Sequence, residues 1–342
     1  MLLRRAIWII PGVVLLVFFL FRLLGDPANL MIGQSGDEKT RNNILREYHL
    51  DKPAWKQFLY YINDISPLSI YEKKSWDDKN VSGIFIGKNT GLVIKWPYLG
   101  RSYQNNRPVL DVLLQALPAT IILAISAMLL AVVGGVFLGV VAASNKGSAK
   151  DHIAVLTSIA GISAPSFFTA MIIAYIFGIW LQPYTGLHFT GSLFEINEIT
   201  GEQTLALKNL ILPALTLGIR PLAIITQLTR SALLDELGKD YIRTAYAKGL
   251  SKRTVIWKHA LPNAINPVIT AITGWFADLL TGAFFVEYIF GWNGLGKVTV
   301  NALEKLDYPV VTGAVLLSAI IFTLIQVFTD LLYRIADPRV RL

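Results

Sequence analysis

Seven consecutive residues, Gly291-Trp292-Asn293-Gly294-Leu295-Gly296-Lys297, satisfy the first seven positions of a phosphate-binding loop. In such a loop backbone N–H groups cradle phosphate and the lysine reaches its outer oxygens. The eighth position requires a serine or threonine hydroxyl for magnesium, and here it is Val298. The pattern also follows a long apolar run and not a buried strand. A glycine-rich turn or re-entrant segment is therefore expected, with no ATP site. The histidines His49, His152, His188 and His259 do not stand at metal-ligand spacing with one another or with a carboxylate pair. No nucleophile–base arrangement stands out, and Asn80-Val81-Ser82 is a glycosylation triplet at chance level. With no cysteine in the chain, disulfides, thiolate chemistry and cysteine-ligated metals are excluded. No catalytic residue, cofactor or metal is expected.

Two other charges stand where charge is expensive. Arg220 and Asp278 lie inside apolar stretches, where a charged side chain costs about 2.5–3.5 kcal/mol on insertion scales. Each needs a partner or a wet cavity. At 1.5 Å per residue, Arg220 lies roughly 16 Å and Asp278 roughly 12 Å from the outer ends of their stretches. Both are expected to face the interior of a helix bundle and line a pathway, as an ion pair or as contacts for cargo.

The elements that hold these residues follow from composition. The 342 residues are 54% hydrophobic and 16% charged, where soluble domains carry about 25% charge. The mean hydropathy is +0.51. A membrane bundle fits this balance and a soluble core does not. Six stretches of about 20 mostly apolar residues are expected to span the bilayer. They are Ala6–Leu24, Leu117–Ala142, Ile153–Leu181, Leu210–Thr229, Asn263–Val286 and Val310–Leu332. The first is read as an uncleaved anchor, because its apolar run is too long for a signal peptide and no small-x-small site follows.

Lysine and arginine in short loops set orientation. Arg4 and Arg5, Lys146 and Lys150, the stretch Arg230–Lys258 and the stretch Arg334–Arg341 carry 14 positive residues together. The opposite loops carry Lys208, Lys297 and Lys305. Both termini are expected to be cytoplasmic, which six spans satisfy. The net charge of +8 thus reports topology and not nucleic acid. The expected divisions are an anchor helix (1–24), an extracytoplasmic segment (25–107) and a five-helix core (108–342) with a cytoplasmic hairpin at 231–262. In the external segment, Asp37–His49 and Pro53–Ile65 read as helices. Trp55, Phe58, Leu59 and Ile62 recur at helical spacing on one face. Residues 66–100 read as turns and a hairpin.

The cytoplasmic hairpin is the most informative part. Asp240 can cap a short helix Tyr241–Lys248, Gly249 supplies a stop, Ser251 can cap a second helix Lys252–Ala260, and Pro262 follows. Two short basic helices around a glycine turn look like a DNA-binding helix-turn-helix. Flanking spans only a few residues away would drive a duplex into the bilayer, so nucleic acid is not an expected partner. A loop gripping anionic lipid explains Lys248, Lys252, Arg253 and Lys258. It leaves Ala245, Ala247, Gly249, Leu250 and Leu261 without a reason. A docking surface for a cytoplasmic protein explains both sets.

At these residues the chain resembles the permease subunits of binding-protein-dependent ABC importers. Their cytoplasmic motif reads Glu-Ala-Ala, three residues, Gly, nine residues, Ile-x-Leu-Pro. Here Arg243-Thr244-Ala245 is followed after three residues by Gly249, and after nine more by His259-Ala260-Leu261-Pro262. The spacing matches, while Arg243, Thr244 and His259 depart from the residue types. The form Arg243–Leu250 is similar to the oligopeptide and dipeptide branch. So are Gly25–Ala28, Leu50–Pro53, Leu99–Tyr103, Arg107–Val109, Glu287–Phe290 with Gly294–Gly296, Asp307–Val310, Asp330–Tyr333 and Asp337–Arg339. Residues 68–96 look like an insertion relative to the family.

The resemblance implies an all-helical type I importer permease fold with six transmembrane helices in a bacterial or archaeal cytoplasmic membrane. It implies a second, homologous permease subunit, two cytoplasmic ATPase subunits and an extracytoplasmic solute-binding protein. Arg243, Thr244, Ala245, Lys248, Gly249, Leu261 and Pro262 would couple the permease to an ATPase. Peptides would be the cargo; nickel complexes, glutathione or oligosaccharides are the alternatives within the same machine. A self-sufficient channel or secondary transporter would call for more intramembrane charges or inverted repeats. An intramembrane enzyme would call for a nucleophile or metal constellation.

Overall fold

The computed structural model of the protein describes residues 2–23, 51–79, 82–196 and 201–336. The expected helix Asp37–His49 lies outside the described residues, as do the blocks Gly25–Ala28 and Asp337–Arg339. The chain divides into two compact units. One comprises residues 1–116 with 298–320, the other residues 117–297 with 321–342.

The elements of the first unit begin with α1 (Leu2–Leu23). Helix α2 (Ala54–Ile65) is amphipathic, and Trp55, Phe58, Leu59 and Ile62 share one of its faces as their spacing suggested. Phe58 and Tyr61, three residues apart, meet Phe18 of α1 with ring centroids 5.0 and 5.9 Å away. Trp55, Leu59 and Ile62, beside Phe58 on the helix, are exposed. Strand β1 (Leu68–Glu72) follows, then the short α3 (Lys73–Lys79), then β2 (Gly83–Gly87) and β3 (Thr90–Lys95). The expected hairpin is β2–β3, and β1 joins it on the far side of β3 to make an antiparallel sheet of order β1-β3-β2. Its inner face buries Tyr71 and Val93 with Trp76 of α3, and Phe85 packs against them. Asp64 of α2 accepts hydrogen bonds from the Tyr71 hydroxyl and from Lys79, both at 2.5 Å. Lys95, 6% exposed, donates to the Asp64 and Ser66 carbonyls.

The remaining elements are α4 (Val109–Ser144), α5 (Ala149–Ser163) and α6 (Ser166–Tyr175), which runs into a π-helical turn Ile176–Trp180. After α7 (Gln182–Thr185) and the ribbon β4 (Phe194–Ile196)–β5 (Gln203–Leu205) comes α8 (Lys208–Leu237). Then follow α9 (Asp240–Ala247), α10 (Lys252–Thr254), a π-helical stretch Val255–Ala260, and α11 (Leu261–Ala264). The chain closes with α12 (Asn266–Gly282), α13 (Phe284–Ile289), α14 (Leu295–Glu304) and α15 (Tyr308–Ala336).

Three of these helices, α4, α8 and α15, are long and apolar enough to cross a membrane. The expected third span is not one straight helix: α5 and α6 meet at a bend of 111°. Pro165 causes the break. Its ring disfavours the helical conformation in the residue before it, and Ala164 sits extended at ψ 130°. At the first and fifth expected positions stand the 22-residue α1 and the 17-residue α12.

Small residues set the packing in the second unit. Gly135 and Gly139, one turn apart on α4, lie against α8. A Cβ on Gly135 would stand 2.8 Å from Ile225, and one on Gly139 2.5 Å from Thr229. The unit's core gathers Leu123, Ala127, Leu212, Ile225, Val286, Phe290 and Trp292. In the first unit, Asp307 accepts from the Ser102 hydroxyl and from the Tyr103 N–H at 3.0 Å. The two sequence blocks Leu99–Tyr103 and Asp307–Val310 are thus halves of one contact.

Candidate coupling hairpin and membrane cavity

The hairpin forms where the sequence places it, with one change at its start. Asp240 is the first helical residue of α9 and not its cap; Lys239 holds the cap position and its side chain makes no capping bond. Asp240 still lies in the first turn, where a carboxylate meets the positive end of the helix dipole. The stop at Gly249 is a Schellman turn. Gly249 N–H donates to Tyr246 O at 2.9 Å, Leu250 N–H donates to Ala245 O at 3.3 Å, and Gly249 has φ +80°. Ser251 caps α10, accepting from Thr254 N–H at 3.3 Å.

The hairpin has an inner and an outer face. Ile242 and Ala245 of α9 are buried with Val255, Ile256, Ala260, Leu261 and Ala264, against Val140 and Ala143 of α4 and Leu233 of α8. Lys252 Nζ donates to Ser144 O at the end of α4 at 2.7 Å. Arg243, Thr244, Ala247, Lys248, Gly249 and Leu250 are exposed, and so is Pro262. Of the seven residues singled out for coupling, Ala245 and Leu261 therefore clamp the hairpin to its own helices, and the other five are presented outward. Ile242 belongs with the clamp. It was legible as the residue one turn before Ala245.

Next to the hairpin, Asp151 at the start of α5 holds Arg230 of α8. Its carboxylate accepts from Nε at 2.5 Å, from Nη2 at 2.8 Å and from the Gly147 N–H at 3.0 Å. This fork joins the start of α5, one half of the bent segment, to α8 about two turns before its end, and nothing in the sequence spacing points to it.

Arg220 and Asp278 line one cavity of about 440 Å³ with Ala271, Gly274 and Trp275. The Arg220 guanidinium lies over the Trp275 ring, 5.6 Å from the centroid. A cation over an aromatic face is attracted by the ring quadrupole.

The glycine-rich segment makes a turn after all, and its own chain occupies the anion position. Helix α14 starts at Leu295, and Glu287 of α13 places its carboxylate at that N-terminus. Glu287 accepts from Gly296 N–H at 2.6 Å, Lys297 N–H at 3.3 Å and the Thr120 hydroxyl at 2.7 Å. Thr120 in turn accepts from Leu295 N–H at 2.8 Å. Glu287 is fully buried. A Cβ on Gly296 would stand 2.4 Å from the Phe284 Cα, so the approach needs glycine. Among the described residues no group of three metal-ligating side chains occurs.

Residues 135–342 match the family described as the inner membrane component of binding-protein-dependent transport systems, and residues 1–124 match its N-terminal domain. The dipeptide transport system permease protein DppB of Escherichia coli K12 is 38% identical, covering 99% of this chain and 98% of its own. The di/tripeptide transport system permease protein DppB of Pseudomonas aeruginosa is 36% identical, covering 99% and 97%. The glutathione transport system permease protein GsiC of Escherichia coli O1:K1 is 32% identical, covering 99% and 97%. Among solved structures, the inward-facing MetNI methionine ABC transporter shares the fold at TM-score 0.51 and 17% identity, over 67% of this chain and 97% of that one. The fold is thus the type I ABC importer permease fold, and the chain belongs to the multi-pass inner-membrane permease components of binding-protein-dependent transport systems.

Proposed function

We propose that this chain forms one half of the translocation path of an ATP-driven peptide importer, beside a second homologous permease subunit. Two cytoplasmic ATPases hydrolyse the ATP and an extracytoplasmic solute-binding protein delivers the peptide. Both termini are cytoplasmic, in keeping with the lysine and arginine bias of the short loops. Relatives that carry the names of dipeptide, di/tripeptide and glutathione permeases support peptide cargo.

The observation that carries the coupling role is the two-sided hairpin. Ile242, Ala245 and Leu261 anchor it to α4 and α8, while Arg243, Thr244, Lys248 and Gly249 are offered outward. A push on that outer face is transmitted to membrane helices through a packed, apolar clamp. Pro262 follows the clamp and begins the chain's return to the membrane. In the cavity, the Arg220 guanidinium suits a peptide carboxylate and Asp278 suits an amino terminus.

The test is Gly249→Val in the assembled transporter. Open space surrounds the site, so the valine meets no neighbour. Its cost is confined to the left-handed backbone, about 1–2 kcal/mol. Peptide uptake is expected to fall with ATPase activity retained. Normal coupled uptake by this variant would sink the assignment.

A further inference from the structure

Among the described residues nothing covers the outer face of the three-stranded sheet. In the strand register, Leu68 pairs with Ile94 and Ile94 with Ile84; Ile70 pairs with Leu92 and Leu92 with Ile86. These six side chains make two cross-strand rows, each running over all three strands, and all six are exposed. Trp96, just past β3, is 73% exposed. The opposite face is already filled by Trp76 and Tyr71. The strands accordingly read as unbroken apolar runs, Ile84-Phe85-Ile86 and Leu92-Val93-Ile94, the pattern of a sheet covered on both faces. An apolar patch of this extent marks a binding surface.

What lies near it is α1, the expected membrane anchor. Phe18 sits five residues before the end of α1, about 8 Å below the outer end of that helix. It packs on Phe58 and Tyr61, so α2 lies at the level of the last turns of α1. Helix α2 is in turn fastened to the sheet. Asn63 exchanges hydrogen bonds of 3.0 and 2.9 Å with the Ile70 backbone, and Ser69 Oγ donates to Asn63 O at 2.6 Å. The exposed stripe Trp55, Leu59 and Ile62 of α2 ends beside β1. Exposed tryptophans beside branched aliphatics, with no charge within the two rows, are the composition of a surface resting at the headgroup–acyl boundary.

We propose that this sheet face, together with the Trp55–Leu59–Ile62 stripe, rests on the outer leaflet of the membrane and makes residues 54–96 an interfacial anchor. This rests on the reading that α1 is inserted with its C-terminal end outward. It does not depend on cargo or on the ATPases.

The chain has no cysteine, so single ones can be placed at will. Ile70→Cys, Ile84→Cys and Leu92→Cys, each carrying a nitroxide, are measured in the full-length chain in nanodiscs of phosphatidylethanolamine and phosphatidylglycerol. Leu16→Cys on the exposed side of α1 serves as the reference. Collision rates with oxygen are expected to exceed those with a water-soluble nickel chelate several-fold at all four sites. Ready access of the chelate to the three sheet positions overturns the proposal. Exclusion of both probes there means a protein covers the face, and overturns it too. Chelate access at Leu16 overturns the placement of α1 and the proposal with it, and so separates the two failures. A second measurement needs no label on the sheet. The emission lost in Trp96→Phe is the part that brominated lipid is expected to quench in the unmodified chain; equal quenching of both proteins overturns the proposal.

Discussion

At the scale of single residues, Arg220 and Asp278 are charges placed in apolar stretches, each expected to have a partner or a wet cavity. Both line one cavity of the fold. The use of Trp275 as the resting partner of Arg220 could not be read from spacing, because the two residues are 55 positions apart on different helices. Since the Arg220 guanidinium stacks on the Trp275 ring at the cavity, we expect Arg220→Asp to abolish peptide uptake. Adding Asp278→Arg should not restore it; recovery of uptake in the exchanged pair would make them a structural pair. Lys95 in the external sheet gives a pH signature. Burial lowers its pKa from 10.5 to about 8, with Lys79 adding to the fall and Asp64 opposing it. The unfolded chain therefore holds more protons between pH 8 and 10.5, and the stability of the sheet rises across that window. Burial, aided by the Asp64 carboxylate, pushes the Tyr71 phenol upward, so above its ordinary value of 10.0 stability falls again. Hydrogen-exchange protection of Val93, corrected for base catalysis, should peak near pH 10, and Lys95→Met should flatten the rise below it.

Helices and hairpins do their work through their ends. The Schellman turn at Gly249 and the Ser251 cap were legible, because glycine and serine act locally. The division of the hairpin into a clamp and a presented face was partly legible: Ala245 and Leu261 stood out as apolar, but which way they pointed depended on α4 and α8. The break between α5 and α6 was written at Pro165, and an apolar run that reads as continuous concealed it. The fork between Asp151 and Arg230 fixes the start of α5 against α8 beside the hairpin. Asp151→Asn is expected to cost about 2 kcal/mol, the worth of a charge-assisted hydrogen bond in a partly buried site. Adding Arg230→Gln should cost less than the sum of the two single changes, because neither partner is then left charged and alone. Thermal unfolding of the four proteins in detergent closes the cycle, and strict additivity would remove the fork as a stabilising contact.

At the scale of the molecule, the absence of cysteine and the sidedness of positive charge offer a direct test of topology. Tyr184→Cys lies in the loop after the third expected span and is 88% exposed; Lys146→Cys lies in the loop before it and is also exposed. A membrane-impermeant maleimide added to intact cells is expected to label the first and not the second. Labelling of Lys146→Cys from outside would invert the orientation.

Composition, periodicity and the spacing of one glycine among small and basic residues were enough to determine a multi-pass membrane chain and the position of its helical hairpin. Those signals are local, repeated along the chain, and physically forced by the bilayer. The tertiary structure alone decided the rest, because the rest depends on partners distant in sequence. Glu287 became the internal anion of a phosphate-loop look-alike only when Thr120 and Gly296 were brought to it. Asp307 gained its purpose from Ser102 and Tyr103. The apolar rows of the external sheet became a surface only when the register set six branched side chains on the same side.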